Sequence, residues 1–101
     1  MPVEALETTT PLVTFTITSI AFISGFNYNV FFNITGTVDD LFYRYRLQGA
    51  TPWIAGSVIG DGTSPFEIEL NVSSGTYEIQ IYGYDNINAQ NVYSNIFTKV
   101  I

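Results

Sequence analysis

Apolar and polar residues alternate with a period of two along most of the chain, and no helical stripe of useful length appears. Over residues 12–20, Val13, Phe15 and Ile17 alternate with Thr14, Thr16 and Thr18, which predicts a β-branched, half-buried strand. Residues 22–26, with Ser24-Gly25, read as a turn. A second strand over 27–35 places Tyr28, Val30, Phe32 and Ile34 on one face, and 36–40 is a loop. The third, 41–48, points Leu41, Tyr43, Tyr45 and Leu47 inward and Phe42, Arg44, Arg46 and Gln48 outward. Residues 49–52 turn the chain into a short, less regular strand over 53–59, followed by a Gly-rich loop over 60–65. Phe66, Ile68 and Leu70 then alternate with Glu67 and Glu69. After the Ser73-Ser74-Gly75 turn, Tyr77, Ile79 and Ile81 face in while Glu78, Gln80 and Tyr82 face out. A polar loop over 85–91 leads to a closing strand over 92–101.

About seven short strands, with turn signals roughly every 8–12 residues, predict an all-β fold in which two antiparallel sheets hide their apolar faces against each other. A small closed barrel is the alternative. Residues 12–101 make up this domain and residues 1–11 an N-terminal arm. Pro2 and Pro11 disfavour helix at the residue before each, and one turn over 4–7 is unstable by itself. The arm's apolar side chains, Val3 and Leu6 above all, therefore need a surface to dock on, which makes them candidate partner contacts.

Composition narrows the function. A chain of 101 residues without cysteine, 47% hydrophobic and only 12% charged, suits a packed core under a neutral surface of Thr, Asn and Ser. Its net charge of −6 comes from Arg44, Arg46 and Lys99 against nine acids. That balance offers no footprint for nucleic acid and no attraction to an anionic membrane. No apolar run approaches the ~18 residues of a membrane helix. The N-terminus lacks the cations and apolar stretch of a signal peptide, as expected of a chain made and kept in a cytoplasm; a module cut from a longer secreted protein would show the same.

Chemistry is narrowed further still. With no His and no Cys, a Ser-His-Asp or Cys-His device and a His-ligated metal are impossible, and no cofactor is implied. Glu67 and Glu69, two apart on one strand face, read as a solvated polar face rather than an acid/base pair. The expectation is a protein that is not an enzyme.

Tyr43-Arg44-Tyr45-Arg46 followed by Trp53, the corner Leu70 to Tyr77 with its Gly75-Thr76-Tyr77, and Asp85-Asn86 together resemble fibronectin type III and related bacterial Ig-like modules. At motif level the resemblance covers about two-fifths of the chain, with strand spacing carrying the rest. The chain departs from the family in having no core Trp in its second strand, where Tyr28 and Phe32 stand in, and no Cys pair. The resemblance implies a seven-stranded antiparallel Ig-like sandwich in which the Tyr77 hydroxyl folds back onto the corner backbone. It also implies that Asp39, Asp40, Asp61, Asp85, Asn86 and Asn88 gather at one end. Hard oxygen ligands there could bind Ca²⁺, but Asp and Asn are also what turns use, and no metal is expected.

The same resemblance makes strand 41–48 and strand 77–82 neighbours. Arg44 or Arg46 then faces Glu78, and Phe42, Tyr82 and Tyr84 share an outer face as a candidate contact patch. Trp53 is a core cap or, alternatively, a sugar platform. Asn33-Ile34-Thr35 and Asn71-Val72-Ser73 match the N-glycosylation pattern, as an Asn- and Thr-rich composition would produce unaided. Small Ig-like proteins of this look are similar to accessory proteins of tailed-bacteriophage virions. The resemblance thus implies a structural, protein-binding subunit, a capsid decoration or tail-associated protein made in the host cytoplasm and located on the virion. The alternative is a carbohydrate- or ligand-binding module of a secreted or cell-surface adhesin or hydrolase.

Overall fold

The computed structural model describes residues 13–38, 40–56 and 63–101, and every regular element in them is strand. The order is β1 (Thr14–Ser24), β2 (Asn27–Thr35), β3 (Leu41–Leu47), β4 (Ile54–Ala55), β5 (Phe66–Glu69), β6 (Thr76–Asp85), β7 (Gln90–Tyr93) and β8 (Phe97–Val100). Two antiparallel sheets form. One is β1-β2-β5; the other is β4-β3-β6-β7, with β8 pairing along β6 beyond β7. Tyr28, Val30 and Phe32 from the first sheet meet Leu41, Tyr43, Ile79 and Ile81 from the second in one continuous core. The inward rows of β1, β2, β5 and β6 fall where the alternation puts them. The arm, with Val3 and Leu6, lies outside the described residues, as do Asp39, Asp61 and residues 57–59 of the expected fourth strand.

Four local readings are corrected. The first strand does not stop at residue 20. A bulge between Ile17 and Ser19 resets the register, so Ile20 is buried and the strand runs to Ser24. The turn is only Gly25-Phe26, with Gly25 at φ +58°, the Gly-first arrangement of a two-residue hairpin loop. Secondly, Leu47 is not a core residue: it is 49% exposed at the end of β3, over the Gly75 turn and beyond the last core row. Thirdly, Gln80 points outward yet is only 7% exposed.

The fourth correction concerns the closing strand, and with it the count of seven, since the described residues hold eight strands. The segment 92–101 breaks at residues 94–96 into β7 and β8. At the break Ser94 keeps contact with β6: its N–H donates to the Ile81 carbonyl at 2.9 Å and its Oγ accepts from the Ile81 N–H at 3.0 Å. Asn95 turns toward the other sheet. Its Oδ1 accepts the Ile17 N–H at 2.7 Å and its Nδ2 donates to the Ile17 carbonyl at 3.3 Å. One side-chain amide thus does the work of a strand pair at the β1 bulge and ties the two sheets together.

Candidate functional site

The outer face of the five-stranded sheet carries the concentration of chemistry. β3 and β6 pair in register, with Phe42 opposite Tyr82, Arg44 opposite Gln80 and Arg46 opposite Glu78. β7 continues the first row, with Tyr93 opposite Tyr82. Directly opposed side chains on one sheet face lie close enough to touch, and here they stack. The Phe42 and Tyr82 ring centroids are 5.4 Å apart at 25°, and those of Tyr82 and Tyr93 are 5.1 Å apart.

Arg44 extends this row. Its guanidinium carbon sits 4.4 Å from the Tyr93 ring centroid and 4.4 Å from that of Trp53, so the cation bridges β7 and the segment entering β4. Arg44 Nε and Nη2 both donate to Gln80 Oε1, at 2.9 and 2.6 Å. Gln80 Nε2 in turn donates to the Ser94 carbonyl at 2.6 Å. Gln80 is therefore buried on the outside of the sheet, beneath an arginine and against the β7–β8 break. Arg46 lies 4.0 Å over the Trp53 ring and pairs with Glu78 at 2.7 Å. Arg44's partners among the described residues are thus an amide and two rings, whereas Arg46 has a carboxylate.

Of the expected contact residues, the structure brings Phe42 and Tyr82 together in the stack. Tyr84 shares their face, but it stands one outward position further along β6, opposite Asn91, and is not one of the stacked rings. Two members escaped the sequence. Tyr93 becomes visible only once the β6–β7 hairpin is set at Asp85–Gln90, which fixes Tyr82 against Tyr93. Trp53 caps no core: it lies over the arginines, outside the core cluster.

Asp85 closes that hairpin. Its Oδ1 accepts the N–H groups of Ile87 at 3.0 Å and Asn88 at 3.2 Å, and its Oδ2 accepts Asn88 Nδ2 at 2.7 Å. The Asn88 side chain, helped by the Asn88 and Ile87 N–H groups and opposed by burial, holds the Asp85 carboxyl below its ordinary range. Both oxygens are engaged as a turn-builder's are. Among the described residues no three Asp, Glu, His or Cys side chains come together as a metal-holding group.

At the opposite end of β6, the Tyr77 hydroxyl donates to the Ser73 carbonyl at 3.0 Å, four residues upstream, which pins the corner. Glu67 and Glu69 are exposed on the outer face of β5. No described helix is long and apolar enough to cross a membrane. Compared with known proteins, the chain matches no family model, no curated protein and no solved structure.

Proposed function

We propose that this is a non-catalytic interaction domain that binds a protein partner through the outer face of its five-stranded sheet. The observation that carries the reading is the Phe42–Tyr82–Tyr93 stack joined to Arg44 and Trp53: aromatic and arginine side chains, the types enriched in interface cores and hot spots, held in a fixed array at the surface. A face whose rotamers are already locked loses little entropy on binding. The sequence supports the non-catalytic part, since it offers neither His nor Cys to a catalytic device. The corner hydrogen bond from Tyr77 to Ser73 and the two-sheet architecture support an Ig-like domain. A tailed-bacteriophage virion as the setting, with the chain as a capsid-decoration or tail-associated subunit, rests on the sequence resemblance alone.

A carbohydrate-binding module is the second reading, favoured by Trp53 and Tyr93 being aromatic and near the surface. Against it, the Trp53 ring already carries Arg44 and Arg46. Photo-crosslinking separates the two. A benzophenone side chain at Tyr82, and as control at Thr16 on the other sheet, is introduced in the cells that make the protein. Protein adducts from position 82 and none from 16 support the proposal. No adducts from 82, together with a glycan-array signal that Tyr93→Ser abolishes, replaces it with the carbohydrate reading.

A further inference from the structure

The aromatic face holds two of the chain's three cations, and they are engaged differently. Arg46 is paired with Glu78 at 2.7 Å. Arg44 meets no carboxylate among the described residues, so its positive charge stands unbalanced there, in a chain whose net charge is −6. Its guanidinium is held all the same. Trp53 comes over it from the β4 side and Tyr93 from the β7 side, each ring centroid 4.4 Å from the central carbon. Two rings packed on one planar cation leave it little freedom to tilt.

Gln80 fixes the remaining rotation. Its Oε1 accepts from both Arg44 Nε, at 2.9 Å, and Nη2, at 2.6 Å, and so fills one fork of the guanidinium. The Gln80 amide cannot turn over, because its Nε2 donates to the Ser94 carbonyl at 2.6 Å; reversed, it would set donor against donor and acceptor against acceptor. The second fork, between Nη1 and Nη2 at the far end of the Arg44 side chain, receives no acceptor among the described residues. Its parallel N–H groups match the two oxygens of a carboxylate, the bidentate pairing in which arginine is strongest.

The surroundings say what else the partner carries. Aromatic rings flank Arg44 on both sides, Trp53 on one and Tyr93 with the rest of the stack on the other, so the partner's chain meets apolar surface before and after the acid. Glu78 on the same face, and an acidic chain around it, repel any further carboxylate. We propose that Arg44 reads a single Asp or Glu side chain of the protein partner, set between uncharged apolar residues, through its Nη1–Nη2 fork. The proposal rests on the reading of this face as a protein-binding surface and names the chemistry that the surface selects.

A displayed library of random peptides, sorted against the full chain, tests this; the best binder is then synthesised and its affinity read by fluorescence anisotropy. The expected binder carries one Asp or Glu between apolar residues. Changing that acid to its amide should weaken binding to the wild-type chain about tenfold to a hundredfold, the range for hydrogen bonds to a charged group, and should change nothing on Arg44→Gln. Arg44→Lys keeps the charge and loses the fork. It should bind the acidic peptide nearly as weakly as Arg44→Gln, and it takes that variant's place should Arg44→Gln fail to melt like the wild type. Full binding by Arg44→Lys overturns the fork. Tyr82→Ser separates this proposal from the reading beneath it. Binding that Tyr82→Ser removes but the acid-to-amide change leaves intact keeps the protein-binding face and overturns the carboxylate. Peptides that bind Tyr82→Ser as they bind the wild type, or a library that yields no binder, overturn both.

Discussion

The two outer faces of the sandwich follow the same alternation and end up differently. On the three-stranded sheet the outward positions Thr14, Thr16, Phe31, Asn33, Glu67 and Glu69 are exposed, and only Asn27 and Asn29 at the hairpin end of β2 are half-buried. On the five-stranded sheet the outward positions Phe42, Arg44, Arg46, Glu78 and Tyr82 are half-buried, and Gln80 is buried. A period of two separates inside from outside, but it does not say whether outside means water. Here the difference comes from residues 53–56 and from β7, which bring Trp53 and Tyr93 alongside Arg44 and roof the sheet with a thin second layer. The outward side chains of β1, β2 and β5, mostly Thr, Asn and Glu, build no such roof.

The largest effect should come from removing the support of that roof. Gly56 follows β4, donates its N–H to the Tyr43 carbonyl at 2.8 Å and lies so close to Tyr43 that a Cβ there would clash with the hydroxyl end of the ring. The ring cannot swing away, because its hydroxyl is bonded to β5. Gly56→Ala must therefore displace either β4 or a core tyrosine. We expect a loss of about 3 kcal/mol, the upper end for overpacking, read as a lowered urea midpoint. The chain's one tryptophan, Trp53, provides the local readout, and its fluorescence should shift as the roof loosens. A variant as stable as wild type, with unchanged fluorescence, would mean that the roof does not depend on this close approach.

Next in size are two hydroxyls, one on each side of the line between core and corner. Tyr43 donates to the Glu69 carbonyl at 2.7 Å and accepts the Glu69 N–H at 3.3 Å, closing the open side between the sheets. Burial pushes its phenol up from the ordinary value. Tyr43→Phe leaves two backbone groups without that partner and should cost roughly 1–3 kcal/mol. Tyr77→Phe strands only the Ser73 carbonyl, at an exposed turn that water reaches, and should cost about 1 kcal/mol. Denaturant midpoints in that order support the distinction; the reverse order would make the corner the stronger tie.

How much of this was legible in the sequence follows from the same comparison. The alternation predicted the inward rows Val13-Phe15-Ile17, Tyr28-Val30-Phe32 and Tyr77-Ile79-Ile81, because burial on one sheet face repeats every two residues. It failed where a long-range contact overrides the local pattern. The β1 bulge depends on Asn95, 78 residues away from Ile17. The break between β7 and β8 depends on the same amide, and the burial of Gln80 on Arg44 and Ser94. In the candidate site, Phe42 and Tyr82 were readable because the alternation turns both outward and the resemblance to Ig-like modules implies that their strands are neighbours. Tyr93 needed a hairpin register and Trp53 the path of a two-residue strand, and neither has a period to read.

A smaller effect, confined to acid, belongs to the loop that sets this register. The folded state holds the Asp85 carboxyl below its ordinary value near 3.8, so its contribution to stability is complete above that value and fades as the pH falls through the lowered one. In acid titrations of the folding midpoint, Asp85→Asn should remove part of the slope below pH 3.8. Identical slopes in Asp85→Asn and wild type would mean that the hairpin is held without its carboxylate.

The smallest change tests the two faces directly. Arg44 touches Trp53, Tyr93 and Gln80 but pairs with no carboxylate among the described residues, so Arg44→Gln removes two cation–π contacts and the two guanidinium hydrogen bonds to Gln80 Oε1, but no ion pair. At a half-exposed site such contacts contribute about 0.5–1 kcal/mol each, and the introduced amide can still donate one hydrogen bond to the Gln80 side-chain carbonyl. The matched change on the other sheet, Thr16→Ala, removes an exposed hydroxyl and should stay within about 0.5 kcal/mol of zero. The informative quantity is a second one, the accessibility of Trp53 to acrylamide. Arg44 covers the Trp53 ring, so Arg44→Gln should raise the quenching of Trp53 fluorescence well before unfolding begins, whereas Thr16→Ala should leave it unchanged. Equal quenching in all three proteins would mean that the roof over the five-stranded sheet is held by Arg46 and the path of β4 alone, and that Arg44 is free to leave Trp53 and engage a partner instead.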